Sequence, residues 1–175
     1  VGSEENVIIG PSMGGLISRY ALAYMEDQSM DHDTRLYVSF DSPHLGANVP
    51  IGIQYTFNFM IDAGASDLEP VVNGLLKSAA AKQMLIDHYL GHVDGTGVEQ
   101  DGSTHTPKGA PNFRDTFQTE LDALGFPSNT RNIAVTNGSG QGQLTGTPGM
   151  ELINHVFNDI FFATDAAIDI HFTPS

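Results

Sequence analysis

None of the 175 residues is a cysteine, and the sequence contains no long apolar run. The absence of cysteine excludes a disulfide framework, a thiol nucleophile and a cysteine-based metal site. A membrane-spanning helix needs about 18 or more consecutive apolar residues, so we expect no membrane span. The length suits one domain that can bury a core of its own.

Positive charge is also scarce. Seven Lys and Arg residues stand against 21 Asp and Glu residues, which gives a formal net charge of −14. Binding to phosphate groups needs basic patches, so the composition argues against nucleic acid or an anionic membrane as a partner. An acidic chain suits a secreted protein or one from a salty environment, and we expect a secreted or extracellular location.

The most informative stretch is Val7–Leu16. Three β-branched residues, Val7-Ile8-Ile9, predict a short buried strand, and a Gly-x-Ser-x-Gly motif centred on Ser12 follows at once. Apolar residues then recur at helical spacing. Strand, tight turn and helix form the setting in which this motif indicates a nucleophile elbow, with an exposed serine hydroxyl. The alternative is a structural glycine-rich turn or a decayed site.

Two consequences follow from this interpretation of the motif. We expect the turn to leave no room for a Cβ at Gly10 and Gly14, which would explain why both positions are glycine. The backbone N–H of Met13, at the positive end of the following helix, would stabilise an oxyanion.

Two sequence blocks carry a family resemblance. The segment Gly10-Pro11-Ser12-Met13-Gly14-Gly15-Leu16, with its later Arg-Tyr, resembles the elbow of α/β-hydrolase lipases and esterases. The block Ser42-Pro43-His44-Leu45-Gly46 resembles the stretch after the next strand in those enzymes. Together they cover Val7 to about Ala47. One departure is Pro11, where these lipases usually carry histidine; it lies beside the nucleophile and outside the triad.

The resemblance implies an α/β fold, with a partial α/β-hydrolase sheet of parallel strands joined by crossover helices. In that family several strands precede the nucleophile strand, whereas here it begins six residues into the chain. We therefore expect a fragment that lacks its N-terminal half-sheet, and an exposed sheet edge through which the chain could self-associate.

Residues 36–40 alternate as a second strand, which should lie parallel to the first because the connection is long enough for a crossover helix. Asp41 lies at its carboxyl end, where open α/β sheets place their sites. The resemblance implies that His44 is a packed, hydrogen-bonded residue. The cluster Asp31-His32-Asp33 could suggest a metal, although solvated loop charge is the simpler interpretation.

No lipase motif is visible between residues 48 and 128, so we interpret this region as a mainly helical insertion within one α/β-hydrolase domain. Apolar spacing predicts helices at 68–76, at 79–89 with Ser78 as the N-cap, and at 112–124 ending at Gly125. The glycine-rich segment 91–109 predicts a long loop or a flexible hairpin. Residues 51–90 are either ordinary helical packing or a lid whose apolar face meets an acyl chain.

The catalytic acid and base are harder to find. Residues 131–136 predict another core strand, but the segment after it carries no carboxylate before Glu151, and this absence favours Asp41 as the triad acid. The usual chain order of serine, acid and histidine places the base late. His155, in a segment that could be strand or helix, and His171, on a predicted strand at 166–172, are candidates, as is a position beyond Ser175.

We expect the remaining histidines of the inserted region, His88, His92 and His105, to be surface residues. The sequence therefore predicts a serine hydrolase that cleaves carboxylic esters of small molecules or lipids through an acyl-enzyme. Ser12 would be the nucleophile, Met13 the oxyanion donor and Asp41 the acid, with no metal or cofactor. An acyltransferase or peptidase on the same fold, or a non-catalytic binding protein, is the alternative.

Overall fold

The computed structural model describes residues 4–94, 97–98, 106–139, 141, 143, 146–147, 149–157 and 166–171. The chain divides into two compact units. The first comprises Val1–Gly46 and Thr116–Gln143, and the second comprises Ala47–Asp115 and Leu144–Ser175.

The first unit is built on a three-stranded parallel sheet. Its strands are β1 (Asn6–Pro11), β2 (Thr34–Phe40) and β5 (Arg131–Val135), with β2 in the centre. Helix α1 (Met13–Asp27) connects β1 to β2 as a crossover, and α5 (Arg114–Leu124) precedes β5. Both strand pairs are parallel, as a crossover connection requires. The predicted α/β class and the parallel pairing of the first two strands are confirmed.

One face of this sheet packs against α1. Strand side chains alternate between faces, and on β2 this places the fully buried Tyr37 on the helix side, where its hydroxyl donates to the carbonyl oxygen of Gly15. Leu16 and Leu22 of α1 and Leu121 of α5 complete the apolar core. The core thus lies directly beneath the turn between β1 and α1.

The other face of the sheet is more open. Its register aligns Val7 with Leu36 and Ile9 with Val38. The side chains of Val7, Ile9, Phe40 and Val135 are all more than 40% exposed, so this sheet face is apolar without being buried.

A buried arginine joins α1 to the end of α5. Arg19 is 4% exposed, and its guanidinium donates to the carbonyl oxygens of Gly125 at 2.7 Å and Leu121 at 2.9 Å. It also lies 3.9 Å from the centre of the Phe126 ring, a cation–π arrangement. Gly125 has a φ of +72°, the left-handed conformation that ends helices, so the predicted helix end at this glycine is confirmed.

A carboxylate fixes the other end of α1. Glu26 accepts hydrogen bonds from the backbone N–H groups of Ser128 at 2.7 Å and Asn129 at 2.8 Å, and from the Ser128 hydroxyl. Its side chain also bonds His32 at 3.1 Å. Burial alone would raise the pKa of Glu26, but these bonds outweigh it and lower the pKa to about 2.

The second unit is a set of short helices and two hairpin-like strand pairs. Its helices are α2 (Ile51–Asp62), α3 (Glu69–Gly74) and α4 (Ala79–Met84), with 3₁₀ turns at Ser66–Leu68 and Tyr89–Gly91. Strands β3 (Val93–Asp94) and β4 (Gly97–Val98) pair antiparallel, as do β6 (Glu151–Phe157) and β7 (Ala166–His171).

The predicted helices of this unit are present but shorter than expected. The Ser78 side chain caps α4 by accepting from the N–H of Ala81 at 3.1 Å, as predicted, although α4 ends at Met84 instead of residue 89. The segment around His155, for which the sequence left strand and helix open, is the strand β6. The predicted strand near the end is β7; Phe172, which we included in it, lies outside the described residues.

Two histidines that we expected at the surface are not exposed: His88 is buried and His92 is half-buried. His88 is 0% exposed: its Nε2 donates to the carbonyl oxygen of Leu76 at 2.8 Å, and its Nδ1 accepts from the N–H of Leu90 at 3.1 Å. The His92 Nε2 lies 2.7 Å from Oδ1 of the buried Asp87. The prediction of surface positions was wrong for both, because these imidazoles satisfy backbone and carboxylate groups that burial would leave unpaired. His105 lies outside the described residues.

No helix in the described part of the chain is both long and apolar enough to span a bilayer.

Candidate active site

The turn between β1 and α1 holds Ser12 in a rare backbone conformation. Its φ is 49° and its ψ is −127°, a combination that costs a non-glycine residue free energy and is concentrated at functional sites. Flanking hydrogen bonds hold it there: the Ser12 N–H donates to the carbonyl oxygen of Phe40 at 2.8 Å, and its own carbonyl accepts from the N–H of Gly15 at 3.1 Å. Ser12 itself is exposed. This is the strand–serine–helix geometry that the motif predicts.

Close packing within the turn demands glycine at two positions. A Cβ on Gly10 would lie 2.5 Å from the Cα of Gly15. A Cβ on Gly15 would lie 2.6 Å from the carbonyl oxygen of Gly10 and would overlap the Ser42 hydroxyl. The expected lack of room at Gly10 is confirmed. At Gly14 it was wrong, because a Cβ there would meet only Pro11 Cδ, at an ordinary 3.5 Å.

Ser42 is a part of the turn that sequence reasoning missed. Its hydroxyl donates to the carbonyl oxygen of Gly10 at 3.3 Å while resting against Gly15. The Ser-Pro-His block therefore contacts the elbow directly. The signal was available in the order of the two blocks, because residues that follow neighbouring parallel strands lie at the same sheet edge.

Met13 is the first residue of α1. The N–H groups in the first turn of a helix have no acceptor within the helix, and they lie at the positive end of its dipole. An oxyanion formed on a substrate bound to Ser12 would meet this N–H in the manner of an oxyanion hole. The Met13 side chain is 41% exposed, so it adds an apolar surface next to the serine.

Asp41 lies one strand away from Ser12. Phe40 is aligned with Pro11 in the register of β1 and β2, so the residues that follow them, Asp41 and Ser12, lie at neighbouring positions on the carboxyl edge. Asp41 also has a left-handed backbone, with a φ of 48°. Its Oδ1 accepts from the Thr136 hydroxyl at 3.3 Å and from the N–H of Asn137 at 3.5 Å.

The contacts of His44 are structural ones. Its Nε2 lies 2.7 Å from the hydroxyl of the buried Ser39, and its ring packs edge-on against Phe126. Burial, and secondarily the charge of Arg19, lower the pKa of His44, so the imidazole is neutral near pH 7. The packed, hydrogen-bonded role that the resemblance implied is confirmed.

The late histidines lie in the second unit. His155 is exposed on β6. His171 directs Nδ1 to the carbonyl oxygen of Gly149 at 2.9 Å and Nε2 to the Asp169 carboxylate at 2.8 Å. Both acceptors require an N–H, which favours the imidazolium; the bond to Gly149, followed by the charge of Asp169, raises the pKa of His171. An imidazolium is a poor general base, so the geometry disfavours His171 in that role.

The acidic loop before β2 has a structural explanation. His32 bonds Glu26 through Nε2 and accepts from the N–H of Thr34 through Nδ1, and Asp31 accepts from the N–H of Asp33. In the part of the chain that the structure describes, no group of three or more His, Asp or Glu side chains could hold a metal.

Fold and site together define an α/β protein in which a strained, exposed serine occupies the turn between a parallel strand and a helix. Residues 4–76 match the family described as "Putative serine esterase (DUF676)". The matched region contains Ser12, Met13 and Asp41, and it supports a serine esterase-like family. No curated protein and no solved structure matches the chain.

Proposed function

We propose that this protein is a serine hydrolase that cleaves carboxylic esters through an acyl-enzyme. The observation that carries the proposal is the backbone of Ser12, held at φ 49° and ψ −127° between a parallel strand and a helix N-terminus. Backbone strain of this kind is concentrated at functional sites, and the exposure of Ser12 leaves its hydroxyl accessible for nucleophilic attack. The family match to serine esterases supports the same conclusion.

In the proposed reaction, the Ser12 hydroxyl attacks the ester carbonyl carbon while a histidine base takes its proton. The Met13 N–H stabilises the negative oxygen of the tetrahedral intermediate. Collapse of the intermediate expels the alcohol, which receives the proton from the histidine, and leaves an acyl–Ser12 ester. Water then attacks this ester by the same route and releases the acid. Asp41 orients the histidine and stabilises its imidazolium form.

The surroundings of Ser12 favour an uncharged ester with an apolar acyl group. Met13, Phe40 and Leu45 expose 41%, 43% and 79% of their surface in the first unit. They lie directly after the serine, at the end of β2 and in the Ser-Pro-His block. A formal charge of −14 repels anionic substrates. A lipid ester meets both conditions.

Replacement of the nucleophile tests the proposal. Ser12→Ala in the full-length protein should abolish hydrolysis of short p-nitrophenyl esters and labelling by a fluorophosphonate. Ser18→Ala is a matched control, since the Ser18 hydroxyl bonds within α1, to the carbonyl oxygen of Gly14 at 2.8 Å. Equal turnover by the two variants would refute the proposal, and a wild-type protein that binds esters without hydrolysing them would favour the non-catalytic alternative.

We also propose that the chain self-associates through β1. This strand is at the edge of the three-stranded sheet in the described residues, and it carries no charged residue of the kind that usually protects an edge. Ile9→Lys should lower the molar mass measured by light scattering if a second copy pairs here. Ile17→Lys, on the similarly exposed Ile17 of α1, is the control. An unchanged mass for Ile9→Lys would exclude this interface.

A further inference from the structure

We propose that Thr136 is a positioning residue for the Asp41 carboxylate. This inference rests on the proposed function and extends it to β5, a strand outside the region matched by the esterase family. The sequence showed only that the segment after β5 carries no acid of its own. The structure shows that this segment supplies hydrogen-bond donors to an acid from the neighbouring strand.

Strand register brings the two residues together. Phe40 is aligned with Val135, and the ladder continues one step further because the N–H of Asp41 donates to the carbonyl oxygen of Val135 at 2.7 Å. Thr136 is therefore the cross-strand neighbour of Asp41 just beyond the sheet. Its β-branched side chain has few rotamers, so its hydroxyl is held close to one place.

The direction of each hydrogen bond is determined by chemistry. The N–H of Gly138 donates to the Thr136 hydroxyl oxygen at 3.3 Å. An ionised carboxylate can only accept, so the hydroxyl proton of Thr136 points to Asp41 Oδ1, 3.3 Å away. The N–H of Asn137 reaches the same oxygen at 3.5 Å. The result is a short chain of donors, from Gly138 through Thr136, that ends on one carboxylate oxygen.

The Thr136 hydroxyl and the Asn137 N–H both donate to Asp41 Oδ1. The other carboxylate oxygen, Oδ2, is therefore left to bind a histidine base. Within the described residues Asp41 Oδ2 accepts no hydrogen bond, and a triad acid needs one oxygen for the N–H of the histidine. A carboxylate anchored through its other oxygen loses less rotational freedom when it binds the imidazole. Such supporting bonds are often long without substrate and shorten in the reacting complex.

The test compares Thr136→Val, which removes the hydroxyl and keeps the shape, with Thr136→Ser, which keeps the hydroxyl. In the full-length protein we expect Thr136→Val to lower kcat for a short p-nitrophenyl ester by about tenfold, equivalent to ~1.4 kcal/mol, with KM nearly unchanged. Thr136→Ser should recover most of this loss. The matched control is Thr130→Val, just before the same strand, because the buried Thr130 hydroxyl has no hydrogen-bond partner among the described residues.

A double-mutant cycle separates positioning from a structural role. If Thr136 acts through Asp41, Thr136→Val should cause no further loss of kcat in an Asp41→Asn background. Equal losses in both backgrounds, or a kcat for Thr136→Val that matches Thr130→Val, would overturn the inference. The proposed function fails separately: if Ser12→Ala retains turnover and fluorophosphonate labelling, the serine mechanism itself is wrong, whatever the Thr136 variants do.

Discussion

Two sets of polar side chains, one in each unit, differ in exposure and in backbone strain. In the first, Ser12 and Asp41 are exposed and have left-handed φ values of 49° and 48°. In the second, Gln54, Asp87 and His88 are at most 1% exposed, and they are paired with backbone groups and, for Asp87, also with His92. The Gln54 amide alone bridges Val49, Asp87 and Tyr89. Buried polar groups that are fully paired stabilise a fold, whereas strained, exposed ones are available for chemistry.

In the first unit, buried side chains hold the helix that follows the strained Ser12. Tyr37 bonds Gly15, and Arg19 fixes the elbow helix to the end of α5. Burial lowers the pKa of Arg19, yet an arginine stays charged in proteins. Its hydrogen bonds to the two carbonyl oxygens are therefore charge-assisted, which makes them stronger than bonds between neutral groups. The difference between the units teaches that a histidine or acid must be judged by its partners and exposure before it is assigned a catalytic role.

The largest expected effect concerns Asp41. Asp41→Asn keeps the shape of the side chain but favours the wrong histidine tautomer, and in the best-studied serine protease such a change costs up to ~10⁴ in kcat. The free energy of unfolding should change little. Asp33→Asn is a matched control, because Asp33 is also an aspartate with a left-handed φ, of 49°. A loss in kcat of less than about tenfold, under ~1.4 kcal/mol, would exclude Asp41 as the triad acid.

The second prediction addresses the buried polar groups of the other unit. His88→Phe would leave the N–H of Leu90 and the carbonyl oxygen of Leu76 without their partner. Each unpaired buried group costs about 1–3 kcal/mol, so urea unfolding should show a loss of roughly 2–6 kcal/mol. The control, His171→Phe at an exposed position, should change stability much less. A stable His88→Phe protein that has lost esterase activity would instead make His88 a catalytic candidate.

The sequence predicted the elbow because a local pattern determined it. Three β-branched residues, a glycine-flanked serine and helical spacing lie within ten positions, and each depends on neighbours in the chain. The position of Asp41 beside Ser12 followed from parallel strand order in the same way. The buried state of His88 could not be foreseen, because its partners lie at Leu76 and Leu90 and only the folded chain brings them together. The contact of Thr136 with Asp41 was missed because it depends on strand register, whereas Ser42 could have been placed from the order of the two sequence blocks.

The third prediction concerns pH and the anchor at the end of α1. The pKa of Glu26 is about 2 in the folded protein, against an ordinary value of 4.5 for a glutamate side chain. A carboxyl group with a lowered pKa stabilises the fold above its unfolded pKa and loses this contribution as pH falls through the folded pKa. The free energy of unfolding should therefore fall between about pH 4.5 and pH 2.

Glu26→Gln isolates this contribution. The variant should be less stable than wild type at pH 7, and the difference should shrink across the same pH interval. Asp27→Asn, on the next residue of the helix, is the control, since the exposed Asp27 carboxylate bonds the side chain of Gln28. A difference between wild type and Glu26→Gln that is independent of pH would show that lost hydrogen bonds, and not the carboxylate charge, account for the effect.

The smallest effect is expected at Gly14, the last glycine of the Gly-x-Ser-x-Gly motif. A Cβ there has room, since it would meet only Pro11 Cδ at 3.5 Å, and alanine is a better helix former than glycine by about 0.5–1 kcal/mol. Gly14→Ala should therefore leave stability unchanged or raise it by up to that amount, and ester hydrolysis should persist.

Gly15→Ala, one residue later, places a Cβ against Ser42 and the carbonyl oxygen of Gly10. Overpacking of this kind costs about 1–3 kcal/mol, and here it would also displace the turn that holds Ser12. Thermal unfolding and kcat for both variants decide the matter: if Gly14→Ala loses activity as severely as Gly15→Ala, the motif glycine has a role in the reaction that the space around it does not explain.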